Sequence, residues 1–326
     1  MAFKMLLLPP FGDRPPPEPF ISDDWPEKIQ AIVPGAVVKI FEDWRDAKAD
    51  IVDADAAYGM VTPELLPLAK KLKWIMAPGA GLGPEYYYDA LNQSDIVVTN
   101  PRAIQADHLS AHAMAFLLAF ARRFDKYLPR KAERSWRQDE RMIGLDDKTV
   151  LIVGVGGAGA ELAKICKAFG MRTLGADPRV TEAPEHVDAL FTPDHLPRRL
   201  GEADFVILTV PETPETQGFF DAAKFGAMKQ GAYFINIGRG RTVVTGDLLA
   251  ALQSGHLAGA GLDVMSPEPL PADHPFWDME NVLITPHIAV LGAPNQQRRE
   301  DLLLENVRRF TQGEPLLNIV DKKSWF

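Results

Sequence analysis

Cysteine is nearly absent from this chain, since Cys166 is the only one among 326 residues. A single thiol excludes an intrachain disulfide framework and a metal cluster built from several cysteines. Cys166 lies in AELAKICKAFG, where it shares one stripe of a predicted helix with Leu162, Ile165 and Phe169. We therefore expect Cys166 to pack in a core rather than to act as a reactive thiol.

Positive charge and long apolar runs are also scarce. The chain has 35 Lys and Arg against 44 Asp and Glu, a formal net charge of -9, which argues against a general nucleic-acid-binding protein because clustered cations hold phosphate backbones. The longest apolar run, Ala113 to Ala121, is about half of the roughly 18 residues that suggest a membrane span. The start, MAFKMLLLPPFGDRPPPEP, has too short an apolar run for a secretory signal. We expect a cytoplasmic protein that binds neither nucleic acid nor membrane.

The chain is rich in short apolar segments. Its length is about twice that of a usual domain, so two domains are predicted. From Thr149 onward, apolar runs end in Gly, Pro or a polar residue, which is typical of buried parallel strands; they are TVLIVG, RTLGAD, DFVILTVP, AYFINIGRG, AGLDV and NVLITPH. Helical segments such as AELAKICKAFG and GDLLAALQSG separate them. This alternation predicts a doubly wound α/β fold with a parallel sheet.

The first hundred residues predict a second, smaller α/β domain. Its strand candidates are FKMLLL, AVVKI and DAAYGM, and its helix candidates are WPEKIQAIV and PELLPLAKKL. The stretch AIQADHLSAHAMAFLLAFARRFDKYL is too apolar for a one-faced surface helix and predicts a buried helix at a domain junction. The amphipathic segment REDLLLENVRRFTQG near the end is predicted to return to the first domain. The expected boundaries are 1–102, 103–289 and 290–326.

A glycine motif predicts a dinucleotide site. Gly154, Gly156 and Gly159 in GVGGAG have GxGxxG spacing, follow the strand TVLIV and open the helix AELAKICKAF. This placement aims helix N-terminal amides at a pyrophosphate. The first glycine permits the turn, the second lets the backbone approach the ligand, and the third allows close helix packing. Gly157 and Ala158 complete the predicted cofactor loop.

The next strand bears on the choice of cofactor. Asp177 ends RTLGAD, about 20 residues downstream of the glycines, where a carboxylate accepts hydrogen bonds from ribose hydroxyls. NAD is therefore favoured over NADP, whose 2′-phosphate would face this carboxylate. Arg179 is close enough in sequence to compensate in part, so NADP stays an alternative.

Polar residues that follow the predicted strands are the candidates for chemistry, because ligands bind beyond the carboxyl ends of parallel strands. They are Asp177, Pro211, Arg239, Asp263 and His287, with Ile237 and Gly238 just before Arg239 as further candidates for cofactor contact. Moving a hydride from an alcohol to nicotinamide requires a base for the hydroxyl proton and a cation for the carboxylate and the developing oxyanion. His287 and Arg239 have this chemistry. Glu268, in DVMSPEPL, is the candidate that fixes the tautomer of the imidazole and stabilises its protonated form.

Nearly the whole chain resembles the D-isomer-specific 2-hydroxyacid dehydrogenases. The segments that carry the resemblance occur in the family's order and are LKWIMAPGAGLG, NPRAIQADHLSAHAMAFLLAFARR, TVLIVGVGGAGAELAK, NIGRGRTV, GAGLDVMSPEPLP and ITPHIA. The ending NIVDKKSWF is similar to that of glyoxylate/hydroxypyruvate reductases. The resemblance implies a Rossmann-type cofactor domain inserted into a smaller flavodoxin-like substrate domain, a cleft that closes over the ligands, and a homodimer.

The resemblance also implies residue roles. Arg239, Glu268 and His287 match the family's arginine, acidic helper and acid/base histidine. Asp263 is expected to hold the nicotinamide carboxamide. The backbone amides of Ala80 and Gly81 are expected to meet the carboxylate of a small 2-keto or 2-hydroxy acid, Tyr58 is a further candidate for the substrate pocket, and Trp136 lies in a segment that the family uses at its dimer contact.

The sequence leaves three alternatives open. Phosphite and formate dehydrogenases are related and act on other small anions. Transcriptional corepressors of the family bind NAD(H) without turnover and recruit peptide partners. His108 and His112 have the HxxxH spacing of a zinc site, but Leu109 stands where HExxH has its Glu, so we expect no metal.

Overall fold

The computed structural model describes residues 2–10, 21–83, 85–292 and 295–325. The chain forms two compact units, Met1–Ile104 together with Ala293–Phe326, and Gln105–Gly292. Both ends of the chain therefore build the first unit, and the middle builds the second. The unit boundaries follow residues 104 and 292, where the sequence predicted boundaries after 102 and 289.

The regular elements of the described residues are short strands connected by helices. The strands are β1 (Lys4–Leu7), β2 (Val37–Ile40), β3 (Ala56–Tyr58), β4 (Trp74–Met76), β5 (Val97–Thr99), β6 (Thr149–Val153), β7 (Arg172–Ala176), β8 (Ala189–Phe191), β9 (Phe205–Leu208), β10 (Ala232–Asn236), β11 (Leu257–Leu262) and β12 (Val282–Ile284). The α-helices are α1 (Trp25–Ile32), α2 (Asp89–Asn92), α3 (Ala106–Ala121), α4 (Phe124–Ala132), α5 (Gly157–Ala168), α6 (Leu196–Arg199), α7 (Ala222–Ala227), α8 (Thr245–Gln253) and α9 (Asn295–Gln312).

The first unit contains a parallel five-stranded sheet in the order β2-β1-β3-β4-β5. Side chains of a strand alternate between its two faces, so Met5 and Leu7 pack on the face that α1 and α9 cover, whereas Leu6 packs on the other. Because both faces are buried, the last three residues of β1, Met5 to Leu7, form a continuous apolar run rather than an alternating one.

The second unit contains a parallel seven-stranded sheet in the order β12-β11-β10-β9-β6-β7-β8. From β6 the chain adds β7 and β8 on one side of β6. It then returns to form β9 on the other side of β6, so the direction in which strands are added reverses between β6 and β9. Helices α3 and α5 pack on one face, and α6, α7 and α8 pack on the other. The predicted doubly wound α/β fold is confirmed. All carboxyl strand ends lie at one edge, and the reversal point is where such folds bind ligands.

Cys166 is one of the core residues on the buried face of α5. Its side chain is 0% exposed, and burial raises the pKa of its thiol to about 12. The thiol is thus neutral at physiological pH and shielded from reagents. Cys166 packs in the core, as the sequence predicted.

Two local predictions differ from the structure. PELLPLAKKL was predicted to be a helix, but only the 3₁₀ turn Leu66–Leu68 forms there; Pro67 lacks the N–H that a longer helix needs, so the helix prediction was wrong. The long apolar stretch forms two helices, because Arg123 adopts a left-handed conformation with φ 59° between α3 and α4. No helix among the described residues is long and apolar enough to cross a membrane.

Candidate active site

The glycine loop, residues 154–159, connects the end of β6 to the first turn of α5. Gly154 has φ +96°, and a Cβ there would lie 2.9 Å from Thr209 Oγ1. A Cβ on Gly159 would lie 2.0 Å from the carbonyl oxygen of Gly154. A side chain at either position would therefore force the loop away from β9 or away from α5.

Gly156 differs from these two glycines because space is open beside it. A Cβ at this position would meet nothing within 4 Å, and Gly156 is the N-cap of α5, which begins at Gly157. The first amides of a helix have no partner inside the helix and attract anions. The open space beside Gly156, at the N-terminus of α5, fits a dinucleotide pyrophosphate.

Asp177 connects the glycine loop to the segment after β7. Its side chain is buried, with Oδ2 accepting a hydrogen bond from Val155 N at 2.9 Å and Oδ1 accepting from Arg179 N at 2.9 Å and Val180 N at 3.2 Å. A carboxylate has about four acceptor positions, so these bonds leave roughly one for a ribose hydroxyl. The sequence indicated only the ribose contact, and the backbone role of Asp177 was not predicted.

Arg239 follows β10, and Asn236 fixes the turn that presents it. Asn236 Nδ2 donates to Arg239 O at 3.0 Å, and Asn236 Oδ1 accepts from Gly238 N at 3.0 Å. Thr242 Oγ1 donates to the same carbonyl at 2.6 Å. Asn236 was not predicted as a site residue, although a turn-forming Asn at the end of a strand is a signal of such a turn.

Close packing next to Arg239 requires glycine. A Cβ on Gly240 would lie 1.9 Å from Met265 O, so the segments that follow β10 and β11 touch through their backbones. This contact brings Arg239 near the segment that carries Glu268.

The guanidinium of Arg239 is a cation among carboxylates. Burial lowers its pKa from the ordinary value of 12.5, and the negative charges of Glu268, Glu212 and Asp263 act in the opposite direction. Because arginine does not lose its proton in proteins, the side chain presents a fixed positive charge at this edge of the sheet.

His287 and Glu268, which the sequence predicted to act together, are neighbours in the structure. His287 Nδ1 lies 2.9 Å from Glu268 Oε2, and Glu268 Oε1 accepts from Met265 N at 3.0 Å. Burial opposes ionisation of Glu268, but the hydrogen bond and charge of His287, the Met265 amide and the charge of Arg239 outweigh it and lower the pKa of this carboxyl. An ionised carboxylate only accepts hydrogen bonds, so His287 Nδ1 carries hydrogen and Nε2 is left for a reacting oxygen.

Asp263 holds the turn on which His287 lies. Its carboxylate, 1% exposed, accepts from Thr285 Oγ1 at 2.6 Å, from Ile288 N at 2.9 Å and from Ala289 N at 3.0 Å. Its carbonyl oxygen accepts from His287 N at 2.8 Å. The carboxamide contact implied by the resemblance would therefore use a carboxylate that already organises the His287 turn.

The remaining predicted positions divide between the two units. Pro211 ends the β9 segment, where its carbonyl accepts from Thr216 Oγ1 at 2.8 Å, and Ile237 is buried. Ala80 and Gly81 lie in the first unit, in the loop after β4, and Gly81 has φ +73°. Tyr58 is also in the first unit.

Tyr58 belongs to the core of that unit. Its ring is 0% exposed and packs edge to face on Trp25 at 5.1 Å between centroids. Burial raises the pKa of its hydroxyl. The structure places Tyr58 among core aromatics.

The two histidines of the HxxxH pair have different surroundings. His112 Nε2 lies 2.8 Å from Thr285 Oγ1, whereas His108 Nε2 has no hydrogen-bond partner in the part of the chain that the structure describes. Within that part, no group of three or more His, Cys, Asp or Glu side chains could hold a metal ion.

Comparison with known proteins decides the family. Residues 114–289 match the family model described as D-isomer specific 2-hydroxyacid dehydrogenase, NAD binding domain. The chain belongs to this dehydrogenase family. It is 31% identical over 314 residues to glyoxylate/hydroxypyruvate reductase A of Serratia proteamaculans, covering 93% of this chain and 96% of that protein. It is 34% identical over 303 residues to glyoxylate reductase of Thermococcus litoralis, covering 86% and 89%.

Solved structures of the family have the same fold. A D-isomer specific 2-hydroxyacid dehydrogenase from Xanthobacter autotrophicus Py2, in complex with NADPH and MES, superposes with a TM-score of 0.85 at 29% identity and full coverage of both chains. An NADPH-dependent glyoxylate/hydroxypyruvate reductase from Sinorhizobium meliloti, in complex with NADP and sulfate, has a TM-score of 0.82 at 28% identity, also with full coverage. The predicted family, its nicotinamide cofactor and its reaction class are confirmed: this 2-hydroxyacid dehydrogenase moves a hydride between a nicotinamide dinucleotide and a 2-keto or 2-hydroxy acid.

Proposed function

We propose that this dehydrogenase reduces glyoxylate, hydroxypyruvate or a related short keto acid, with His287, Glu268 and Arg239 at the reacting centre. The 2.9 Å contact between His287 Nδ1 and Glu268 Oε2, beside the cationic Arg239, is the observation that carries the proposal. The names of relatives similar over more than four-fifths of the chain support the choice of substrate.

The chemistry of reduction assigns each side chain a task. A nicotinamide dinucleotide held by the glycine loop, Asp177 and Asp263 would supply a hydride to the keto carbon. His287 Nε2 donates a proton to the carbonyl oxygen. Glu268 stabilises the imidazolium before the transfer. Arg239 binds the substrate carboxylate and offsets the negative charge that develops on oxygen. In the reverse direction, neutral His287 accepts the hydroxyl proton.

The other predicted positions have binding roles in this proposal. In the second unit, the glycine loop binds the pyrophosphate, Asp177 the ribose, and Asp263 the carboxamide. The segments at Pro211 and at Ile237–Gly238 line the cofactor site. In the first unit, the amides of Ala80 and Gly81 bind the substrate carboxylate.

We also propose that the enzyme is a homodimer. Phe124 and Leu128 lie one helical turn apart on α4 and are 51% and 63% exposed, and Trp136 beyond the helix is 93% exposed. Exposed large apolar side chains that share one helix face, as Phe124 and Leu128 do, are typical of an interaction surface. A second copy of this chain is the proposed occupant, and sizing in solution tests it.

Loss of nicotinamide absorbance tests the catalytic proposal. NADH and NADPH are each paired with glyoxylate, hydroxypyruvate, pyruvate, phenylpyruvate and oxaloacetate. We expect rapid oxidation with the short acids, and a decrease in kcat of roughly 10²- to 10⁴-fold for His287→Ala, the usual contribution of a general acid or base. Faster turnover of phenylpyruvate would refute the short-acid assignment.

The same assay separates the alternatives. Activity only with phosphite or formate in the presence of oxidised cofactor would indicate the related dehydrogenases. Tight cofactor binding without turnover of any acid would indicate a sensing protein. Full activity of His287→Ala would remove this residue from the mechanism.

A further inference from the structure

His112 of α3 has a contact that none of the proposed roles uses. Its Nε2 lies 2.8 Å from Thr285 Oγ1 and 3.5 Å from Asp263 Oδ1. The ring is 20% exposed and stands edge-on to Phe116 at 5.0 Å between centroids. Packing by Phe116 therefore holds the imidazole with one nitrogen directed at the Thr285 hydroxyl.

The number of hydrogens that each of these side chains carries sets the direction of each hydrogen bond. A threonine hydroxyl has one hydrogen, and that of Thr285 is donated to Asp263 Oδ1 at 2.6 Å. The Thr285 oxygen can then only accept from His112, so His112 Nε2 carries hydrogen. The chain of donation runs from His112 to Thr285 to Asp263.

This series of hydrogen bonds ends on the backbone that carries His287. Asp263 accepts from the amides of Ile288 and Ala289, the two residues that follow His287. His287 itself has φ +55°, a left-handed conformation that is unfavourable for a residue with a side chain. The surroundings must therefore hold it, and the Asp263 carboxylate bonds two amides of the turn directly.

We propose that His112 is a positioning residue for the reduction, acting through Thr285 and Asp263 on the turn of His287. The inference rests on the acid/base role proposed for His287. His112 itself is assigned no contact with substrate or cofactor; it orients the Thr285 hydroxyl, which keeps the Asp263 oxygens aligned with the two amides. A substitution that removes the Nε2 donor should loosen the turn and slow proton transfer while leaving substrate binding nearly unchanged.

Paired substitutions test the donor. His112→Leu removes it, and His112→Gln keeps an N–H at similar reach. We expect kcat to fall about 3- to 10-fold in the Leu variant, the effect of one hydrogen bond, with the KM of the keto acid within about twofold, and to recover most of its value in the Gln variant. His195→Leu is the matched control, since its Nδ1 contacts Thr192 Oγ1 at 3.1 Å on the surface; it should keep full activity.

Thr285→Val tests the middle of this series of hydrogen bonds. It should lower kcat as His112→Leu does, and the double variant should lose little more than either single variant, because both interrupt one pathway. Fully additive losses would contradict the proposed chain. So would an unchanged kcat in His112→Leu, or a loss that His112→Gln does not restore.

Hydrogen exchange gives a readout that needs no activity. Peptides covering residues 285–291 should exchange faster in His112→Leu than in the wild type or His112→Gln, with the rest of the chain unchanged. Uniformly faster exchange would mean general destabilisation and would overturn the inference, as would no change. If the wild type reduces no keto acid, the proposed function fails and exchange alone decides whether His112 holds the turn.

Discussion

Asp177 and Asp263 are buried carboxylates that accept backbone amide hydrogens. Burial of a charge is costly unless hydrogen bonds compensate for it, and each of these side chains is compensated by N–H groups of a loop at the carboxyl edge of the sheet. The same side chains are the predicted ligands of the cofactor. A substitution at either position would therefore alter loop geometry together with ligand contact, so neighbouring residues are better probes of cofactor choice.

Arg179 is such a probe for the 2′-phosphate. Three backbone amides already surround the Asp177 carboxylate, which weakens its repulsion of a phosphate, and Arg179 lies two residues away. We expect Arg179→Gln to raise the KM for NADPH about tenfold, the effect of losing one charged hydrogen bond, with the KM for NADH nearly unchanged. Steady-state kinetics with both cofactors measures this. Equal changes for both cofactors would exclude a role in recognising the 2′-phosphate.

At the scale of elements, the glycine loop allows a matched comparison. A Cβ at Gly159 would lie 2.0 Å from Gly154 O, whereas one at Gly156 would meet nothing, and Gly156 has an ordinary φ of -73°. Gly159→Ala should lose about 1–3 kcal/mol of stability through overpacking. Gly156→Ala should keep the wild-type unfolding temperature and weaken cofactor binding at least about tenfold, because its methyl group occupies the proposed pyrophosphate space.

Calorimetry and cofactor titration of the two variants check this contrast. Unchanged cofactor affinity in Gly156→Ala would place the pyrophosphate elsewhere. An unchanged unfolding temperature in Gly159→Ala would mean that α5 can shift without cost.

Helix α9 contains an ion-pair group whose effect depends on pH. Hydrogen bonds from Arg308 and Arg309 lower the pKa of Glu305 from 4.5 to about 2. A carboxyl with a lowered pKa in the folded state stabilises the protein above its unfolded pKa, and this stabilisation is lost as pH falls through the folded value. The wild type should therefore have a higher urea midpoint than Glu305→Gln at pH 6, with the difference shrinking as pH falls from about 4.5 toward 2. A difference that stays constant with pH would show that the charge of Glu305 does not stabilise the helix.

Elements were predictable from the sequence where apolar runs were long enough. TVLIV forms β6, because burial on both faces makes a parallel strand continuously apolar. The strands β4, β5 and β8 were missed, although β3 and β12, which also have three residues, were predicted within the apolar segments DAAYGM and NVLITPH. The catalytic candidates could be predicted from the sequence because parallel strands end at a common edge. The contact of His112 with Thr285 could not be predicted, because the two residues are 173 positions apart and only the fold brings them together.

At the scale of the molecule, both ends of the chain build one unit and its middle builds the other. The proposed chemistry belongs to the middle: the glycine loop, Arg239, Glu268 and His287 all lie within Gln105–Gly292. The apolar surface on α4 belongs to the same unit. Association through this surface would therefore join two copies through the units that carry the reacting groups.

The proposed dimer predicts a mass near twice 36.0 kDa in solution. Leu128→Glu should raise the dissociation constant of the dimer at least about tenfold. The substitution replaces a leucine that the dimer would bury with a charged side chain. Val52→Glu, at a site 43% exposed in the first unit, is the matched control and should leave the mass unchanged. Light scattering over a range of concentrations measures both variants. A wild type that stays monomeric at high concentration would contradict the dimer, and a dimer that Leu128→Glu leaves intact would place its interface away from α4.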